Sequence, residues 1–156
     1  MVYVFDTSSL SILKDYYRGK FRTFWTYFDD AVARGEVLSV REVYIELDGQ
    51  VDRPHIQEWI KTNKGIFLTP SAEETRFLQE IFAVPHFQYL MKPKSILTSA
   101  PFADPFVIAL AKVRQGCVVT EEKLKKNAAR IPNICKHFDV ECTNLEGFIE
   151  QQNWEF

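Results

Sequence analysis

Four stretches of this sequence deliver a carboxylate next to an apolar run. Asp6 follows VYVF, Glu46 lies in the helical stretch after Val37–Val40, Asp104 precedes PFVIALA, and Glu122 follows CVVT. Glu121 adjoins Glu122, and either can be the fourth acid. Thr7 and Ser8 come directly after Asp6, and Thr120 directly before Glu121. Gathered carboxylates repel: two charges ~4 Å apart cost about 4 kcal/mol at an effective dielectric near 20. Hard divalent cations remove that cost, and an all-oxygen donor set suits Mg²⁺ or Mn²⁺ better than Zn²⁺. About three or four carboxylates around one or two such ions cut phosphodiesters. One ion activates water, the other stabilises the leaving oxygen, and the products carry a 5′-phosphate and a 3′-hydroxyl. The expected metal ligands and catalytic groups are therefore Asp6, Glu46, Asp104 and Glu122, with Glu121 as the alternate. Thr7, Ser8 and Thr120 are expected to hydrogen-bond these carboxylates from behind.

Each acid also has a plain structural role. Asp6 and Asp104 are preferred N-cap types, and Pro105 suits a first helical turn. A helix dipole favours Glu122 in a first turn. Glu42 and Glu46 share a helix face at i and i+4, and Glu42 reads as one half of a surface ion pair. Capping explains single acids but not four in one structural position. His55, His86 and His137 have no metal-ligand spacing, and Cys117 reads as a small buried hydrophobe.

Strands and helices must alternate to place these acids together. Val2–Phe5, Val37–Val40, Ile66–Leu68, Cys117–Val119 and Val140–Cys142 read as strands. Helices are expected from Leu10, fading near Tyr17, and over residues 23–34, 41–47, 52–63, 104–115 and 145–152, and another opens at a capping box, Ser71 with Glu74. One more helix is expected between the last two strands, over the basic run KLKKNAAR, followed by a turn at Pro132 and Asn133. Residues 86–102 read as a long loop. This order implies a three-layer α/β/α domain over residues 1–156, with a central parallel sheet of four or five strands. Functional groups of such sheets lie at the carboxyl ends of the strands.

The bulk composition fits. The chain has 156 residues, 46% hydrophobic and 26% charged, which excludes a disordered segment. Nineteen basic against 21 acidic residues exclude a strongly basic nucleic-acid coat protein, but not a nuclease whose ions reverse the local charge. No run approaches ~20 apolar residues, no leader pattern opens the chain, and the three cysteines lack CxxC spacing. A cytoplasmic protein without membrane contact is expected.

VYVFDTSSL, SVREVYIEL, ADPFVIALA and CVVTEEK, in that order, resemble the four motifs of the PIN-domain ribonucleases. The resemblance runs from residue 2 to about 123 and points to a distinct PIN-like subfamily related to type II toxin–antitoxin toxins. It implies a metal-dependent endoribonuclease, an RNA substrate, a cognate antitoxin and a homodimer. Lys123, Lys125 and Lys126 are then candidate RNA-phosphate contacts, and the aromatic segment Tyr16–Trp25 a candidate protein contact. The sequence departs from the family in its Glu-Glu pair and in the 86–102 insert. Two other readings stand beside it. One is a haloacid-dehalogenase-like phosphotransferase with Asp6 as nucleophile, although Ser8 occupies the position where that family has a second Asp. The other is a catalytically inactive PIN-like binding module.

Overall fold

The apolar runs bounded by polar or glycine residues become five short strands: β1 (Tyr3–Phe5), β2 (Val37–Val40), β3 (Phe67–Leu68), β4 (Cys117–Val119) and β5 (Glu141–Thr143). The computed structural model describes residues 1–50, 52, 54–90 and 103–156. All four strand pairings are parallel, in the order β3-β2-β1-β4-β5. Eight α-helices accompany them among the described residues: α1 (Thr7–Ser11), α2 (Arg22–Ala33), α3 (Arg41–Asp48), α4 (Pro54–Thr62), α5 (Ala72–Phe82), α6 (Asp104–Arg114), α7 (Ile131–His137) and α8 (Leu145–Gln151). The expected three-layer α/β/α architecture is the one observed, and of the expected four or five parallel strands there are five.

Strand order decides where function can sit. From β1 the chain moves to β2 and β3 on one side, then returns to β4 and β5 on the other. The seam between β1 and β4 is therefore the topological switch point, where open α/β sheets leave a crevice beyond the strands' carboxyl ends. The main-chain N–H of Asp6 donates to Val119 O at 3.1 Å, so the seam stays paired up to that acid. The N–H of Cys117, which follows α6, donates to Val2 O at 2.9 Å. The end of α6 thus lies at the amino edge of the sheet, and its start, with Asp104, at the carboxyl edge.

One face of the sheet is closed by rings. Phe5 on β1 meets Phe28 on α2 at 5.5 Å and Phe148 on α8 at 5.1 Å, both edge-on. Edge-to-face pairs of this kind add about 0.5–1.5 kcal/mol beyond the area they bury. Within the Tyr16–Trp25 segment, Phe24 and Trp25 are buried in this core, whereas Tyr17 and Phe21 are exposed.

Local chemistry explains the element ends. At α5, Ser71 Oγ accepts from Glu74 N and Glu74 Oε2 accepts from Ser71 N, the reciprocal capping box expected from the sequence. At the end of α6, Gln115 takes the left-handed conformation (φ 52°). Gly116 follows because a Cβ there would collide with Val2 O. Gly116→Ala should therefore force main-chain movement at the start of β4 and cost roughly 1–3 kcal/mol, the scale of overpacking, read as a lower urea midpoint at unchanged m.

Three expectations are corrected. KLKKNAAR is not helical: the helix between β4 and β5 is α7, with Pro132 in its first turn rather than in a turn of its own. Asp104 is not the N-cap of α6. Ala103 holds that place without a side-chain bond, and Asp104 is the first helical residue. On α3, Ile45 is 46% exposed although its neighbours Val43 and Leu47 are buried. The expected loop over 86–102 lies outside the described residues from 91 onward. Before that, Pro85–Leu90 form a 3₁₀ helix.

Candidate active site

Asp6 is the organising residue. It leaves β1 in an extended conformation and caps α1, its Oδ1 accepting from Ser9 N at 2.8 Å. Ser8 Oγ lies 2.9 Å from both Asp6 oxygens, and Thr120 Oγ1 donates to Asp6 Oδ2 at 2.5 Å. The carboxylate is 2% exposed. Burial pushes its pKa above the usual carboxylate range, opposed by the bonds from Thr120, Ser9 and Ser8. The two hydroxyls are themselves fixed. Ser8 Oγ accepts from Glu121 N at 3.0 Å, and Thr120 Oγ1 from Glu122 N at 3.1 Å. Side-chain bonds thus carry the tie between β1 and β4 past their last main-chain pairing, from Asp6 to Glu122 N.

Glu46 joins through its neighbour: Thr7 Oγ1 donates to Glu46 Oε2. Asp6, Thr7, Ser8, Glu46 and Thr120 therefore form one bonded group at the carboxyl edge. Asp104 shares that edge at the start of α6. Glu121 and Glu122 reach it with their N–H groups, but their carboxylates go elsewhere. Glu121 Oε1 accepts from Leu145 N at 2.8 Å, and Glu122 Oε2 from Ile131 N at 3.0 Å. Both supply acceptors to helix N-termini, of α8 and α7 respectively. Among the described residues, no three His, Cys, Asp or Glu side chains stand close enough together to hold a metal ion.

Glu42 is the residue that sequence reasoning misplaced. It is 4% exposed rather than a surface group. Its Oε1 pairs with Arg41 Nη2 at 2.9 Å, while its Oε2 is buried with no hydrogen-bond partner among the described residues. Buried carboxylate oxygens are nearly always bonded, so an orphan of this kind calls for an explanation. The sequence signal was the i, i+4 spacing with Glu46.

Lys123, Lys125 and Lys126 are exposed. Their loop is pinned by Asn133, whose Nδ2 donates to Lys125 O at 2.7 Å, and by Arg130, which donates to Lys123 O at 3.4 Å. Beside it an open cleft of about 530 Å³ is lined by Thr120, Glu122, Lys136, Cys142 and Asn144, among others. Cys117 is buried, with its thiol pushed up to about 12, chiefly by desolvation. It packs as expected, and burial disfavours the thiolate form that reacts.

Ser8→Ala and Thr120→Ala should each loosen Asp6 without removing a charge. An expected 10–100-fold loss of divalent-ion affinity or of cleavage follows the usual cost of removing a supporting bond behind a ligand. Isothermal titration with Mn²⁺ checks it, and unchanged affinity in both variants would dismiss these hydroxyls as positioning groups.

A family model described as "Domain of unknown function (DUF4411)" matches residues 3–156. No curated protein matches the chain. Among solved structures, the crystal structure of PAE2754 from Pyrobaculum aerophilum is similar at a TM-score of 0.43 and 15% identity, over 89% of this chain and 97% of that one. No helix among the described residues is long and apolar enough to cross a membrane.

Proposed function

We propose that this chain, which belongs to the DUF4411 family, is a metal-dependent endoribonuclease of PIN-like organisation. The observation that carries the reading is Asp6: a carboxylate 2% exposed at the switch point of a parallel sheet, gripped by two hydroxyls and one amide. A buried acid whose donors come both from its own helix α1 and from the residue that follows β4 fits a working group better than a cap alone. The donor chemistry also suits a hard cation. The bonded group at the edge offers carboxylate and hydroxyl oxygens, the donor type that hard cations take.

Asp6, Glu46 and Asp104 are the residues that would hold Mg²⁺ or Mn²⁺. When bound, such an ion supplies Lewis acidity to water and to the phosphate oxygens. The chain's own residues do the rest. Ser8, Ser9 and Thr120 fix the plane of the Asp6 carboxylate, and Thr7 fixes Glu46. Burial strengthens the field of Asp6 by excluding water from around it. The exposed lysines of the 123–126 loop would bind RNA phosphates on either side of the cut. The same reading carries a toxin role, with a cognate antitoxin covering this edge.

The test is cleavage of RNA by the purified protein with Mg²⁺ or Mn²⁺, followed by end-group analysis. The expected products carry 5′-phosphate and 3′-hydroxyl ends, and chelator abolishes them. Cyclic phosphate ends, or full activity in excess chelator, would overturn the mechanism.

A further inference from the structure

Residues 14–22 read KDYYRGKFR, rings interleaved with cations. The shape of this segment is fixed from within. Trp25 Nε1 donates to Tyr16 O at 2.5 Å, and the N–H groups of Lys20 and Phe21 both donate to Tyr17 O at 2.9 Å. Arg18 lies over the Trp25 ring at 4.5 Å and pairs with Asp29. The result is a cleft of about 340 Å³, lined by Tyr16, Lys20, Phe21, Arg22, Ile149 and Phe156, among others. Phe21 is 45% exposed and meets Tyr16 at 5.1 Å, with the ring planes 33° apart.

Three features say what the cleft takes. Its volume lies at the lower end of the roughly 300–1,000 Å³ of sites for compact organic groups, which suits flat rings rather than a folded partner. Lys20 and Arg22 flank Phe21, are exposed, and make no ion pair among the described residues. Exposed rings between unpaired cations are the elements of a single-strand binding surface, where bases stack on the rings and phosphates take the cations. The cleft also lies close to the Asp6 edge. Leu145 N, at the start of α8, donates to Glu121 just after β4, and Ile149 follows about one helical turn, ~5.4 Å, along that helix. Tyr16 shares this neighbourhood: burial first, then the charges of Glu121, Asp15 and Glu146, push its hydroxyl pKa up.

We propose that this cleft is a base-stacking site for single-stranded RNA, with Phe21 as the platform, Tyr16 behind it, and Lys20 and Arg22 holding the flanking phosphates. It rests on the ribonuclease reading above for the choice of RNA, and on no metal ion. The cleft adds a stacking contact to the phosphate contacts of the 123–126 loop. Arg18 takes no part, because Asp29 and the Trp25 ring already hold it.

The experiment is fluorescence anisotropy of a labelled oligouridine of about twelve nucleotides with the full chain, over a range of salt. Excess chelator lets binding be read without cleavage. Phe21→Leu should bind about 5-fold or more weaker, the lower bound for losing one base–ring stack, and Phe21→Trp should bind as tightly as wild type. Lys20→Gln and Arg22→Gln should each lower the slope of log affinity against log salt by about 0.7, one phosphate contact on a single strand. All three side chains are exposed, so melting temperatures should stay at the wild-type value. Unchanged affinity in Phe21→Leu, or unchanged salt slopes in both cation variants, would overturn the assignment and leave the ribonuclease reading to the cleavage test. No oligouridine binding by wild type would overturn it too. So would a wild-type dimer that Phe21→Leu turns into a monomer with no change in oligouridine affinity, the mark of a protein contact. The expected binding changes in a protein that cuts no RNA with Mg²⁺ or Mn²⁺ would uphold the cleft and overturn the ribonuclease reading.

Discussion

Asp6→Asn should reduce metal-dependent RNA cleavage roughly a hundredfold or more, the scale of losing one preorganised charge-stabilising group. The metal-free variant should nevertheless be at least as stable as wild type at neutral pH. Asparagine keeps the N-cap acceptor for Ser9 N, and it removes a charge that burial disfavours. The sign follows from the raised pKa of Asp6. A carboxyl whose folded pKa lies above its unfolded value of about 3.9 favours folding most when protonated, below that unfolded value. This contribution is lost as pH rises through the folded pKa. Stability of Asp6→Asn relative to wild type should thus increase as pH climbs from about 4, and level off above the folded pKa. Urea unfolding in chelator across that range measures it. A variant that loses ground to wild type as pH rises would mean that the bonds from Ser8, Ser9 and Thr120 outweigh desolvation.

Phe28→Ala should produce the largest loss of stability. Phe28 is fully buried, and its ring lies between Phe5 at 5.5 Å, Phe24 at 5.5 Å, Trp59 at 5.6 Å, Trp25 at 5.8 Å and Phe148 at 6.3 Å. These five rings come from β1, α2, α4 and α8, so the cavity cannot close by moving one element. The expected cost is about 3–5 kcal/mol, or roughly 6–20 °C in melting temperature for a chain of this size. Phe5 lies next to Asp6 in the chain, so softening at Phe28 reaches the site through β1. A drop below about 1 kcal/mol would show that the ring cluster repacks freely.

Legibility followed how local the determinants were. VLSV and CVV are short apolar runs with sharp ends, and both strands lie where the sequence placed them. Ser71 and Glu74 cap each other within four residues, so α5 could be read directly. The start of α7 could not. Its N-cap, Arg130, makes no side-chain capping bond, and the acceptor for Ile131 N comes from Glu122, nine residues upstream. With that partner out of local view, Pro132 suggested a turn, although proline also fits a first helical turn. The site showed the same division. Asp6, Thr7, Ser8 and Thr120 follow strand ends and were found from the pattern alone. Where Glu42, Glu121 and Glu122 aim their carboxylates depends on packing between distant elements, which charge and spacing do not encode.

The lattice at Asp6 also sets a schedule. Its two halves, Ser8 and Thr120, flank a bond between residues 114 positions apart, and β1 has no partner on that side until β4 exists. At about 5–20 residues per second, a ribosome needs roughly 6–20 s to travel from one to the other. During that interval the amino-terminal strand and helices are present without their closing strand, and Asp6 lacks the hydroxyl that orients it. On the proposed ribonuclease reading, an emerging chain should therefore be inert toward nearby RNA, including the message being read, until β4 has been made.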